Sequence, residues 1–332
     1  MKFLRFYLKY QTDNEQPTAL TSTDFSLFEN DQLQLEFVLE NVHADVRYKA
    51  ILRPKTTLHL LEFYIETSYD YALSKGVFCN GFQSWTETKL FTKEVRLKRQ
   101  LRGAHIIGEA YGDGRFYKYK NLKGVAHSWT YTYVKQPKRR AFFLGSLYDE
   151  NGYTIFEHHA TENKLIIQKD VEGTKAIADF LLLDIYVSTN FEQLCFQNYF
   201  EVQQLKPLQT KPAMGWTSWY YYYTGINESI IVKNIDAFVQ KNIPIDVFQI
   251  DDGWQQSVGD WLTVNQKFPN GLKIISDKIH AQNWKAGLWL APLACEQNSF
   301  IVKEKPHWIL KNEKGNFLKI GFNPLWSYWF YA

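Results

Sequence analysis

Two adjacent carboxylates, Asp251 and Asp252, follow the strand-like run Val247-Phe248-Gln249-Ile250. A charge at the end of a buried strand is costly unless donors meet it. A ligand rich in hydroxyls supplies donors; so do backbone N–H groups or the start of a following helix. The pair does not suit a nucleophile and its acid/base partner. Retaining glycosidases hold those carboxyls about 5–5.5 Å apart across one bond, whereas neighbours on a strand begin on opposite faces. Binding of hydroxyls is the expected role. Indole rings gather at equivalent places: Trp216 and Trp219 end one apolar run, Trp254 follows the aspartates, and Trp289 precedes Ala291-Pro292. Flat aromatic faces suit the C–H face of a sugar ring.

Other groups are weaker candidates. Asp260 and Trp261 sit in a long loop, where an Asp commonly forms a turn. Glu157-His158-His159 and the pair Asp277/His280 have the residue types of a metal site. Side chains alternate along an extended segment, so the two adjacent imidazoles diverge, and two ligands one helical turn apart do not complete a site. No metal or other cofactor is expected. Ser218 lacks the Gly-x-Ser-x-Gly setting of a strained nucleophile. Gly112-Asp113-Gly114 has no full glycine pattern and no following helix, so it reads as a hairpin turn rather than a phosphate cradle. Lys138-Arg139-Arg140 reads as a solvated basic loop.

Two kinds of element must position these residues. Residues 32–42, 45–54, 57–69 and 164–171 alternate apolar and polar side chains with a period of two, which predicts strands of an antiparallel sandwich. Residues 191–205 have helical spacing, and 205–212 carry two prolines and read as a linker. The organisation expected is therefore a β-sandwich over 1–204, a linker over 205–212 and a second domain over 213–332. In that domain the runs 213–219, 246–251 and 285–292 are apolar strands. Between them lie amphipathic helices over 227–242 and 271–283. Asn227 caps the first helix, and Ile231, Ile235, Phe238 and Val239 share its apolar face. The order β-α-β-α-β implies parallel strands with right-handed crossovers. The missing glycine-rich loop argues against a dinucleotide fold and for the first part of a (β/α)8 barrel. Eight strands close such a barrel, and about three β/α units are present, so it is incomplete and stops before the fourth strand.

Composition narrows the partners. The chain has 332 residues, a net charge of +3 and 17% aromatic residues. So mild a charge does not suggest nucleic acid. No apolar run approaches the roughly 18 residues of a membrane span, and the N-terminus, broken by Arg5 and Lys9, does not read as a signal peptide. Three cysteines without a CxxC fit a reducing, cytoplasmic setting. Nine of the 11 tryptophans lie between Trp216 and Trp329.

As an ordered set, Met214-Gly215-Trp216-Thr217-Ser218-Trp219-Tyr220, Gln249-Ile250-Asp251-Asp252-Gly253-Trp254-Gln255, Gly259-Asp260-Trp261, Phe268-Pro269-Asn270-Gly271-Leu272-Lys273 and Gly287-Leu288-Trp289-Leu290-Ala291-Pro292 resemble the α-galactosidases of glycoside hydrolase family 36. Asn80-Gly81-Phe82-Gln83-Ser84-Trp85 resembles the motif of that family's N-terminal sandwich. The resemblance implies hydrolysis, with retention and without a metal, of terminal α-linked galactose from oligosaccharides such as melibiose or raffinose. It implies that Asp251 and Asp252 accept hydrogen bonds from galactose, that Trp219 and Trp289 shape the pocket, and that Trp85 closes it. Trp254 is a wall or core residue. Related α-N-acetylgalactosaminidases and galactosyl transfer of the raffinose-synthase type share the motifs, and a non-catalytic galactoside-binding protein is the alternative from another class. The family's nucleophile lies in a Lys-x-Asp motif, and no lysine here has Asp two places on. Neither catalytic carboxylate is therefore expected in this chain, which alone is expected to be inactive. The full-length protein is expected to form a homo-oligomer.

Overall fold

The computed structural model describes residues 1–13, 15–82, 86–97, 113, 117–206, 211–312, 314–323 and 328–331. The chain divides into two compact units, Met1–Pro207 and Leu208–Ala332.

The first unit is an antiparallel β-sandwich. One sheet runs in the order Thr18–Ser22, Lys2–Gln11, Leu58–Ser68, Lys164–Lys169, Thr154–His159, Val125–Trp129, with Thr174–Ala176 also paired to Leu58–Ser68. The other runs Leu27–Glu29, Leu33–Val42, Asp45–Pro54, Phe180–Phe191, Arg140–Ser146, Tyr131–Lys135, Gly76–Cys79, Lys89–Phe91. Alternation explains the core. Phe6, Leu8, Phe63, Ile65, Phe156, Leu165 and Ile167 of one sheet meet Leu35, Ala50, Leu52, Leu183 and Ile185 of the other in a single buried cluster. The helix Glu192–Val202 covers the outer face of the second sheet. Its Cys195 and Tyr199 pack on Tyr133, Ala141, Phe143 and Tyr186.

Two groups of polar residues are buried in this unit. Of Gly112-Asp113-Gly114 only Asp113 is among the described residues, and it is fully buried. Its Oδ1 accepts from the Phe82 N–H (2.9 Å) and Thr86 Oγ1 (2.8 Å), and its Oδ2 from Trp129 Nε1 (3.0 Å), with His127 Nε2 also at 3.0 Å. A buried carboxylate needs donors, and here it ties Phe82 and Thr86 to the strand Val125–Trp129. Glu157, His158 and His159 are all buried. His158 points into the sandwich toward Tyr71 and Thr132, while Glu157 and His159 share the opposite face under Tyr117 and Lys120. The imidazoles do diverge.

The second unit begins with a parallel sheet in the order Gly215–Thr217, Val247–Ile250, Lys285–Leu288. The helices Glu228–Gln240 and Lys273–His280 are the crossovers. Asn227 Oδ1 accepts the Ile230 N–H at 2.8 Å and so caps the first of them. Ile231, Ile235, Ile275 and Ile279 bury one side of this helix pair against Phe248 and Ile250. Val239 departs from its expected place: it is exposed and faces a groove of about 280 Å³ with Met214, Ile243 and Trp284. Val239 lies in the last turn of Glu228–Gln240, beyond the buried Ile231 and Ile235, where it lines the groove with Phe238. That groove lies at the N-terminal ends of the strands. The three strands form an open, unclosed sheet, followed by a small antiparallel sheet of Cys295–Glu296, Tyr328–Tyr331 and Lys319–Asn323.

Candidate functional site

Active sites of parallel β/α folds form where the strands end. Thr217 and Gln249 are register partners across the first two strands. Gln249 and Asp251 are two residues apart and share a face. Asp251 Oδ2 therefore accepts from both Thr217 Oγ1 (3.1 Å) and Gln249 Nε2 (3.0 Å). Its Oδ1 accepts the Asp252 N–H at 2.8 Å. Ser218 is fully buried, and its Oγ accepts the Asp251 N–H at 2.9 Å, which makes it a brace between strands and not a nucleophile. Three donors thus meet Asp251 on both oxygens.

Asp252 is held differently. Gln255 Nε2 donates to its Oδ1 at 2.6 Å, and both residues are buried. Burial pushes the Asp252 carboxyl above its usual range, the Gln255 amide pulls it back, and the neighbouring Asp251 charge pushes it up again. The turn that permits this is glycine-dependent. Gly253 has φ +111°, and a Cβ there would lie 2.8 Å from the Thr224 carbonyl oxygen. Asn265 Nδ2 donates to the carbonyls of Gly253 (2.8 Å) and Gln255 (2.9 Å), closing the loop on itself. Lys267 Nζ donates to the Thr224 carbonyl at 2.7 Å, and burial lowers its pKa against the attraction of Asp252.

The tryptophans take unequal positions. Trp254 is 2% exposed and belongs to the core; its indole N–H donates to the Trp289 carbonyl at 3.1 Å. Of the two places expected for it, the structure gives core, so as a substrate contact it is corrected to a support of Trp289. Trp289 is half-buried, its N–H reaches the Ile250 carbonyl at 2.9 Å, and its ring meets Trp261 edge-on at 5.8 Å. Trp219 is half-buried at the start of the helix Trp219–Tyr222 and contacts Tyr223 edge-on at 5.2 Å. Asp251, Asp252, Trp254 and Trp289 form one bonded constellation, and Trp219 joins it through its neighbour Ser218. Trp85 lies outside the described residues. Asp260 does not line the aspartate site: it accepts the N–H groups of Phe300 (3.0 Å) and Ile301 (3.4 Å), capping the helix Phe300–Glu304. Among the described residues no three metal-ligating side chains converge.

Sequence reasoning passed over Thr217, Gln249, Gln255 and Asn265. The signal for Gln249 was a polar residue inside an apolar strand, two places before an aspartate. Gln255 and Asn265 act through the path of a loop and carry no local signal.

Residues 193–319 match the melibiase family model. This chain is a homologue of the melibiase-type α-galactosidases. An α-galactosidase of Oryza sativa subsp. japonica is 39% identical to the homologue over 85 residues, 24% of this chain and 20% of the rice protein. The α-galactosidase Mel36A of Lactobacillus acidophilus is 33% identical over 109 residues, 31% of this chain and 14% of Mel36A. The matched part is thus a fifth or less of either relative. Among solved structures, TtGalA, an α-galactosidase from Thermus thermophilus in complex with stachyose, superposes with a TM-score of 0.66 at 24% identity, over 92% of this chain and 60% of that one. AgaA of Geobacillus stearothermophilus, a GH36 α-galactosidase, gives 0.56 at 14% identity over 94% and 49%. At these identities the likeness establishes the fold of the melibiase homologue, a sandwich followed by the opening units of a β/α barrel.

Proposed function

We propose that the melibiase homologue carries the galactose-recognition part of a retaining α-galactosidase acting on terminal α-linked galactose of oligosaccharides such as melibiose or raffinose. The observation that carries this reading is the Asp251-Asp252 pair, buried and pre-oriented at the C-terminal ends of parallel strands. A carboxylate held in place by protein donors loses little freedom when it accepts a sugar hydroxyl, and a charge-assisted hydrogen bond is roughly twice as strong as a neutral one. Asp252 is the principal acceptor in this scheme, Asp251 the braced neighbour, and Trp219 and Trp289 the aromatic walls. Trp85 is assigned the closing role that the motif resemblance gives it. Cleavage needs a nucleophile and an acid/base, and with no Lys-x-Asp in the sequence we assign both to polypeptide outside this chain. The three cysteines are buried free thiols, in keeping with a cytoplasmic setting. Among the described residues no helix is long and apolar enough to cross a membrane.

Galactose titration followed by tryptophan fluorescence tests the reading. A saturable change that Asp252→Asn abolishes is expected, together with no release of nitrophenol from p-nitrophenyl α-galactoside by this chain alone. A chain blind to millimolar galactose, or one that turns the glycoside over at an ordinary enzymatic rate, overturns it.

A further inference from the structure

We propose that Gln255 is the positioning residue of the sugar site, fixing the Asp252 carboxylate for its ligand. The inference rests on the galactose-binding reading above and goes beyond it to the residue that governs it.

The orientation of the Gln255 carboxamide is decided by its other end. Its Oε1 accepts the Gly253 N–H at 3.2 Å, and a backbone N–H can only donate. The Nε2 group therefore has to face Asp252, to whose Oδ1 it donates at 2.6 Å. The amide cannot flip without setting its oxygen against a carboxylate oxygen. Asn265 fixes the same turn by bonding the carbonyls of Gly253 and Gln255. The result is a rigid three-point frame of Gly253, Gln255 and Asn265 that engages one Asp252 oxygen and leaves Oδ2 for an incoming hydroxyl.

The charged groups around Asp252 explain why this donor matters. Asp251 is adjacent, Glu296 repels Asp252 from the short strand Cys295–Glu296, and Lys267, whose ammonium also donates to the Thr224 carbonyl, attracts it from the loop beyond Asn265. Burial and the Asp251 charge favour the protonated form; among the groups that favour the ionised form the Gln255 amide acts most strongly, ahead of the Gly253 N–H and Lys267. A protonated Asp252 would lose the charge-assisted hydrogen bond to the ligand. Gln255 thereby acts on the sugar through Asp252.

The test uses the full chain and two readouts. The first is the carboxyl titration of Asp252 by ¹³C NMR in the absence of sugar, assigned by loss of the signal in Asp252→Asn. The second is galactose affinity at pH 7 and pH 5 by tryptophan fluorescence. Gln255→Leu is expected to titrate Asp252 about one pH unit higher than the wild type, the order of shift produced by one hydrogen bond to a charged group. Its galactose affinity is expected to fall more steeply between pH 7 and pH 5 than that of the wild type, by a factor below about ten because a shift of one pH unit caps the difference. Gln255→Asn, which keeps a carboxamide but withdraws it by one methylene, is expected to behave in the same direction and serves if the leucine variant does not fold. Unchanged carboxyl midpoints in the folded variants overturn the proposal. A wild-type chain that binds no galactose while the variants still shift the Asp252 midpoint removes the sugar-binding reading and leaves the Gln255–Asp252 coupling established.

Discussion

His158 shows at single-residue scale how burial fixes a protonation state. Thr132 Oγ1 donates to the Phe78 carbonyl at 2.7 Å, so its oxygen must accept from His158 Nε2–H, 2.8 Å away. The ring's Nδ1 is then bare and accepts the Tyr71 hydroxyl at 2.7 Å. Burial, helped by His159, pulls the pKa of this ring from 6.5 down to about 3, against the attraction of Glu157. The unfolded chain takes up a proton below 6.5 and the folded chain does not until about 3, so stability is lost as the pH falls through that window. Glu157 behaves as a depressed carboxylate. Burial alone would raise it, but hydrogen bonds from His159, Lys120 and Tyr117 outweigh burial and bring it from 4.5 down to about 2. Its contribution is present above 4.5 and disappears toward 2. Of these two groups only His158 acts between pH 6.5 and 5, where one proton amounts to about 2 kcal/mol. Urea unfolding at pH 7, 6 and 5 is expected to show this loss in the wild type and not in His158→Gln. Equal pH slopes in the two proteins would remove His158 from the account. The alternation that separates His158 from His159 was legible in three consecutive letters. The tautomer was not, because Thr132 and Tyr71 come from distant strands.

At the scale of elements, the Gly253 turn and the Asn227 cap separate site geometry from helix stability. Gly253→Ala places a methyl 2.8 Å from the Thr224 oxygen at a φ of +111°. A shift of the Asp252 turn and a loss of about 2 kcal/mol or more are expected, seen as a lower melting temperature together with weakened galactose binding. Asn227→Ala removes a single cap bond and is expected to cost about 1 kcal/mol with sugar affinity intact. If the cap variant lost galactose binding and the glycine variant kept it, the placement of the site would be wrong. Legibility followed burial. The strands Leu33–Val42, Asp45–Pro54 and Leu58–Ser68 bury one side more than the other and show a period of two, so they were read nearly to the residue. Val125–Trp129 and Thr154–His159 are buried on both faces and carry no alternation to read. Their outer face is covered by Tyr117 and Lys120, a contact invisible in local sequence. Both crossover helices were legible from their apolar stripe, although each is shorter than its amphipathic run. The apolar run 285–292 ends as a strand at Leu288. At the site, acid-after-strand spacing exposed Asp251 and Asp252, whereas Trp254 looked like a wall because a core tryptophan and a ligand-facing one have the same letter.

At the scale of the whole molecule, the open parallel sheet sets solution behaviour. Among the described residues no strand pairs with the far side of Lys285–Leu288. Leu288 and Leu290 are half exposed there, and Leu293 is 84% exposed. Tyr220 and Tyr221, just beyond the other edge strand, are more than 80% exposed. An unpaired strand edge flanked by apolar side chains is a template for another chain, and natural edges are protected by charges, especially lysine. This edge has Lys285 at its start and none at the end where the leucines lie. Self-association driven from that end is therefore expected, with an average mass in sedimentation experiments that climbs with concentration. Leu288→Lys puts a charge at the unprotected end, and because Leu288 is already exposed, the substitution costs little burial. The variant should sediment closer to a monomer while keeping the near-ultraviolet circular dichroism of its tryptophans. A wild-type chain that stays monomeric across the micromolar range, or a lysine variant that associates as strongly as the parent, would move the association surface away from this edge.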